Sequence, residues 1–252
     1  MLINIAQDAK TMGMRAARII ANEIRKKERL VLGLATGKTP LPMYKELIRL
    51  HKEDGLSFSK VITFNLDEYL GLGPDDPNSY HYYMFTNFFN HINIPLKNIH
   101  IPDGMAKDKE SVGIEYEEQI EKAGGIDIQV LGIGKNGHIG FNEPGSSLGS
   151  LTRTKYLSET TRKDAAKEFG SLEKVPKEVI TMGCGSILNS RHIIILASGI
   201  EKAEIIKKAF EGPITTMCPA SILQLHRNVT AILTTDAATQ LTLPAEEIPG
   251  VE

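Results

Sequence analysis

The sequence predicts an α/β protein with a Rossmann-like open, mostly parallel sheet and helices on both faces. Two observations carry that expectation. Residues 30–35, 61–66, 127–133 and 192–197 are runs rich in apolar and β-branched side chains, as strands buried on both faces are. Between them, at 8–27, 40–51, 109–122 and 200–211, lie stretches of helical period, and strands alternating with helices build parallel sheets. A (β/α)8 barrel has about this length, but the chain has too few βα repeats, and the segments at 71–91 and 146–180 break the alternation. No repeat, low-complexity run or linker divides residues 1–252, so one domain is expected.

Taken in order, residues 1–5 fit a short edge strand. The helix at 8–27 sets Met12, Ala16, Ile19, Ile20 and Ile24 on a core face with Arg and Lys between them. Pro40 opens the next helix at a position where its missing N–H costs nothing. Residues 71–79, GLGPDDPNS, form a turn-rich loop, and residues 80–91 carry an aromatic, apolar helix pattern suited to a core or a wall. The stretch 146–180 is polar and poorly periodic, with a helix near 161–169; long irregular segments are often lids. A short helix at 219–225 and a last strand at 228–233 follow, and the tail after Leu243 reads as loose.

Composition removes several classes of function. Hydrophobic residues make up 41% and charged residues 24%, ordinary for a globular protein. A formal net charge of -2 with scattered lysines leaves no footprint for nucleic acid. No apolar run approaches membrane-spanning length, and MLINIAQDAK turns polar too early for a signal peptide. Cys184 and Cys218 stand far apart without a CxxC, which fits reduced structural thiols in a cytoplasmic protein better than a disulfide or a metal site.

Candidate chemistry collects where strands end, the usual place for ligands in an open parallel sheet. The run DIQVLGIGKNGHIGFNEPG at 127–145 reads as a buried strand entering a glycine-rich turn, with Asn136, His138, Asn142 and Glu143 just beyond. A carboxylate five residues from an imidazole could return to it across a tight loop and fix its tautomer; a merely solvated pair is the bland alternative. ATGKTP at 35–40 joins a strand to a helix start, where backbone N–H groups and the helix dipole favour phosphate, with Gly37, Lys38 and Thr39 at the turn. It is not a P-loop, because Leu32 occupies the position of that motif's first glycine. In TFNLDEY at 63–69, Asp67 and Glu68 end a strand, and only one of two neighbouring acids can be expected to face a site.

GIGKNGHIGFNEPGSS, ATGKTP, TFNLDEYLGL, NSYHYYMF and PASILQLH together resemble the glucosamine-6-phosphate deaminases over nearly the whole chain. The resemblance implies a deaminating aldose–ketose isomerase, a hydrolase of a C–N bond. Its substrates are D-glucosamine 6-phosphate and water, its products D-fructose 6-phosphate and ammonia, and it uses no metal or organic cofactor. It assigns Asp67 as the base moving a proton between C2 and C1. His138 opens the sugar ring and Glu143 orients it. The turn at Gly37, Lys38 and Thr39 holds the phosphate, joined by Lys202; Lys167 stands where other members carry arginine. Asn136 stands where some members carry aspartate, so a charged Asp–His–Glu relay is absent. Some members are hexamers activated by N-acetylglucosamine 6-phosphate, and Ser146, Arg153 and Lys155 match residues of that effector site. The short tail ending LPAEEIPGVE leans against activation and leaves the chain open between monomer and hexamer. Two other readings share the fold: a 6-phosphogluconolactonase-like hydrolase, and a non-catalytic sugar-phosphate sensor. The second would need a DNA-binding segment for which the chain has no spare basic stretch.

Overall fold

The computed structural model describes residues 1–251. The chain runs β1 (Leu2–Ala6), α1 (Ala9–Lys26), β2 (Val31–Leu34), α2 (Leu41–Glu53), β3 (Ile62–Asn65), β4 (Asp67–Tyr69), α3 (Tyr80–Asn87), β5 (Ile99–His100), α4 (Ser111–Lys122) and β6 (Ile128–Gly132). It continues with β7 (Arg153–Tyr156), α5 (Glu159–Phe169), β8 (Glu178–Thr181), α6 (Cys184–Leu188), β9 (His192–Ala197), α7 (Ala203–Glu211) and β10 (Val229–Thr234).

Among the described residues the strands form two sheets. The main sheet has seven strands in the order β1-β10-β9-β6-β2-β3-β5, every neighbouring pair parallel. Its strands are apolar on both faces because each face is covered. Side chains of α1, α2 and α3 pack one face, around Ile20, Leu47 and Met84. Tyr116 of α4, Ile187 of α6 and Ile206 of α7 pack the other. Asp127 pins the centre of the sheet at its amino end. It accepts from Val31 N at 2.8 Å and from Lys27 Nζ at 2.7 Å, and Arg191 lies 3.0 Å away. From β2 the chain builds one way, through β3 to β5, and then returns to lay β6, β9 and β10 on the other side. The loops after β2 and β6 therefore diverge and leave a crevice at the carboxyl ends of these neighbours.

The second sheet, β4-β8-β7, is antiparallel and departs from the main one directly after β3. The polar stretch at 146–180 thus holds β7, α5 and β8 rather than one helix in a long loop. Two expected helices are tighter or shorter than their patterns suggested. The aromatic helix ends at Asn87 and a 310 turn covers Phe89–His91, while Pro219–Leu225 is wholly 310. The tail is not loose. Glu246 N donates to Ile3 O at 2.7 Å, Asn4 Nδ2 donates to Glu246 O at 2.9 Å, and Val251 is buried with the α1–α2 face.

Candidate active site

The crevice at the switch point opens into a cavity of about 440 Å³, lined from the ends of β2, β3, β6 and β9 and from α5. From the β2 turn come Thr36, Gly37, Lys38 and Thr39; from β6 come Gly134, Lys135 and His138; from α5 come Asp164 and Lys167; and after β9 comes Lys202. Asp67 and Tyr80 complete one wall. Four lysines therefore surround a space opening at the start of α2, where the helix dipole adds to their charge. The turn is held from behind. Tyr44 Oη donates to Ala35 O and Tyr83 Oη to Gly37 O, both at 2.6 Å. With those carbonyls tied back, the turn is fixed as one wall of the cavity. Lys202 Nζ donates to Ile133 O at 2.7 Å, which fixes it beside the β6 loop.

That loop is compact because its glycines permit it. Gly134 N donates to His138 O at 2.9 Å, and a Cβ on Gly134 would lie 2.0 Å from His138 Cε1. Gly137 turns the chain at φ +84, with Cys218 Sγ against it. His138 Nδ1 is 2.6 Å from Asn136 Oδ1, which also accepts from His138 N at 3.2 Å. An amide oxygen only accepts, so Nδ1 carries the proton and Nε2 is the basic nitrogen. Burial, with the charge of Lys202 nearby, lowers the imidazole to about 4, so the ring is neutral at ordinary pH.

Of the two neighbouring acids, Asp67 lines the cavity. Burial and the negative charge of Glu68 raise it to about 8. A Cβ on Gly140 would lie 3.4 Å from Asp67 Oδ2, so the β6 loop passes directly over this carboxylate.

Glu143 departs from the expected arrangement. Among the described residues no hydrogen bond joins it to His138. Its carboxylate instead takes the N–H and hydroxyl of Ser158 and the hydroxyl of Thr161, and pairs with Lys155 at 3.3 Å. Those donors crowd the first turn of α5, where a negative charge is favoured, and they outcompete a neutral imidazole. Burial alone would raise this carboxyl; the Ser158 and Thr161 bonds hold it below its usual value. Asn136 is therefore the residue that holds His138. Lys155 is occupied by Glu143 and Arg153 is half-buried, while Ser146 N bonds back to Glu143 O at 2.9 Å.

Gly37, Lys38, Thr39, Lys167, Lys202, Asp67 and His138 all meet in the one cavity, while Asn136 stands behind His138 and Glu143 behind α5. Sequence reasoning missed Lys135, Phe141 and Asp164 as lining residues, while Tyr80 begins the aromatic run read as core or wall. Lys135 could have been found, since it lies within the glycine turn; Asp164 could not, because its helix carried no clear period.

A Rossmann-like sheet with a lysine-rich cradle, a buried carboxylate and a neutral imidazole in one crevice has the groups for acid–base chemistry on an anionic ligand. A family model described as glucosamine-6-phosphate isomerases/6-phosphogluconolactonase matches residues 6–232, and the chain belongs to that family. It is 52% identical over 252 residues to the glucosamine-6-phosphate deaminase of Thermoanaerobacter sp. (strain X514), covering 100% of this chain and 99% of the relative. It is 50% identical over 243 residues to that of Clostridium botulinum (strain Langeland / NCTC 10281 / Type F), covering 96% and 100%. A solved monomeric glucosamine-6-phosphate deaminase superposes with a TM-score of 0.93 at 47% identity, over 96% of this chain and 100% of that one. A 6-phosphogluconolactonase from Trypanosoma cruzi shares the fold, with a TM-score of 0.76 at 22% identity over 96% and 97%.

Proposed function

We propose that this chain is a glucosamine-6-phosphate deaminase, converting D-glucosamine 6-phosphate and water to D-fructose 6-phosphate and ammonia. In this reading residues 1–252 form one sugar-phosphate isomerase domain, working as a monomer in the cytoplasm. The observation that carries it is a carboxylate raised to about 8 and a neutral imidazole sharing one cavity with four lysines. The relatives at about half identity support the same activity.

The phosphate sits against Gly37, Lys38, Thr39, Lys202 and Lys167, which fixes the sugar by its far end. His138 Nε2 takes the O1 proton of the pyranose and returns one to O5, opening the ring to an aldehyde. Asp67 removes the C2 proton, made acidic by the adjacent carbonyl, and delivers it to C1, while the C2 amine gives up a proton and O1 gains one, so the aldehyde becomes an alcohol and the amine an imine. The resulting ketimine at C2 is attacked by water, and ammonia leaves. A carboxylate near its usual pKa is a weak base; burial brings Asp67 toward the working pH, where a general base is most effective. Glu143 serves by anchoring α5, which carries Lys167, over the cavity.

Ammonia release from glucosamine 6-phosphate by the purified protein tests the activity. Hydrolysis of a 6-phosphogluconolactone without ammonia release would replace this reading with the hydrolase one. Glucosamine lacking phosphate should lose kcat as well as KM, because remote binding energy supports the chemical step. Size-exclusion with light scattering tests the monomer.

A further inference from the structure

We propose that Glu68 is a positioning residue that sets the carboxylate of Asp67 and the phosphate-holding turn at a fixed separation, acting through α3. The proposal rests on the function given above.

Successive side chains of a strand point to opposite sides, so in β4 Asp67 faces the cavity and Glu68 turns away from it. Glu68 is 2% exposed and meets no lysine or arginine partner among the described ion pairs. Its carboxylate takes three backbone donors: Tyr69 N at 2.8 Å, Tyr80 N at 2.9 Å and His81 N at 2.8 Å. The last two are the first residues of α3, whose N-cap Ser79 separately accepts from Tyr82 N. One turn further on, Tyr83 donates to Gly37 O of the phosphate turn. The ring of Tyr80 walls the cavity. The residue next to the base therefore grips a helix whose other end of contact is the phosphate turn.

The choice of side chain bears on the role. Free N–H groups at a helix start are satisfied by neutral oxygens, as Ser79 does here, whereas burying a carboxylate is costly. The charge of Glu68 acts on both titratable neighbours in its own strand, and on Asp67, the one that lines the cavity, it favours the protonated form. Tyr69 of β4, Tyr80 of α3 and Tyr116 of α4 also face Asp67 and are neutral at ordinary pH, burial holding their hydroxyls above the usual value. Lys38, Lys135, Lys167, Lys202, His138 and Asp164 line the same cavity; the negative charge that acts on Asp67 is that of Glu68. Burial, with Asp76 nearby, raises the Glu68 carboxyl to about 7, so it is ionised where Asp67 titrates. Glu68 thus joins two effects in one group: it holds α3, and it makes Asp67 a stronger base.

Glu68→Gln keeps the shape, removes the charge and turns one of the two accepting oxygens into a donor facing a backbone N–H. It should shift the acid limb of kcat/KM to lower pH, lower kcat and raise KM. A role confined to capping would lower stability without moving the limb, so a folded variant with an unmoved limb overturns the proposal. Tyr83→Phe removes only the hydroxyl on Gly37 O. It should weaken inorganic phosphate binding, read by calorimetry, about 2- to 10-fold, as one lost hydrogen bond does, and leave the limb in place. Unchanged phosphate affinity in this variant overturns the link through α3, and it decides the matter should Glu68→Gln fail to fold. Wild-type ammonia release is measured first, so an error in the assigned reaction is seen separately, while the phosphate measurement stands without turnover.

Discussion

Burial acts in opposite directions on the two titratable groups nearest the chemistry. It disfavours charge, so it raises Asp67 to about 8 and lowers His138 to about 4. The free carboxylate is the form that abstracts a proton, so the acid limb of kcat/KM should fall near the value of Asp67, well above that of His138. Asp67→Asn should reduce kcat by a factor of at least ~10², the low end for a lost general base, and a variant keeping more than about a tenth of turnover would contradict the role. The same substitution should stabilise the fold. The folded pKa of Asp67 lies above its unfolded value of 3.8, so the native state holds the extra proton and stability falls as pH rises from that value to about 8. The gain in Tm from Asp67→Asn should accordingly be larger at pH 9 than at pH 5. Asn136→Asp brings a charge to the ring nitrogen now bonded to an amide oxygen, and should raise the His138 imidazole pKa measured by NMR. An unmoved imidazole would mean that Asn136 only shapes the turn.

At the scale of elements, the contact that decides behaviour is between the β6 loop and the first turn of α5. If Glu143 anchors this helix, Glu143→Gln should raise KM by about tenfold, the worth of one charge-assisted hydrogen bond, and speed amide exchange across 158–169. Loss of kcat at unchanged KM, with protection of α5 intact, would instead favour an orienting role toward His138. The carboxyl of Glu143 is held below its usual value, so this anchoring is present at neutral pH and is lost as pH falls through the folded pKa. The sequence spoke clearly for the strands of the main sheet, because burial on both faces demands unbroken apolar runs such as HIIILA. It was silent on β4, β7 and β8. Arg153–Tyr156 is half-exposed and reads as RTKY, and its pairing with β8 spans a polar segment that no local pattern marks. The site was legible where glycine and polar residues punctuate strand ends, as at Gly37 and His138. The partner of Glu143 was not, since Ser158 lies 15 residues away and is joined to it only by the fold.

Across the whole molecule, the carboxyl-terminal tail closes over the edge strand. Truncation after Leu243 should remove the burial of Val251 and the bond from Glu246 to Ile3, costing on the order of 2–4 kcal/mol in a denaturant titration. A cost near zero would mean that the tail merely rests there. The loss would also bare the outer edge of β1, and open edges invite pairing between molecules.

The placing of β1 has a consequence for how the protein is made. Its hydrogen-bonded neighbour is β10, with Leu2 opposite Thr230 and Ala6 opposite Thr234. A ribosome adds ~5–20 residues each second, so the first strand emerges on the order of ten seconds or more before the strand it must join. Through that interval the apolar face of LINIA has no sheet to enter, and α1 can shield only part of it. The pairing of β1 must therefore wait for a strand made more than 220 residues later, a late ring closure across the length of the domain. Variants that slow the docking of β10 should show their defect as chaperone dependence during synthesis before they show it as lost activity.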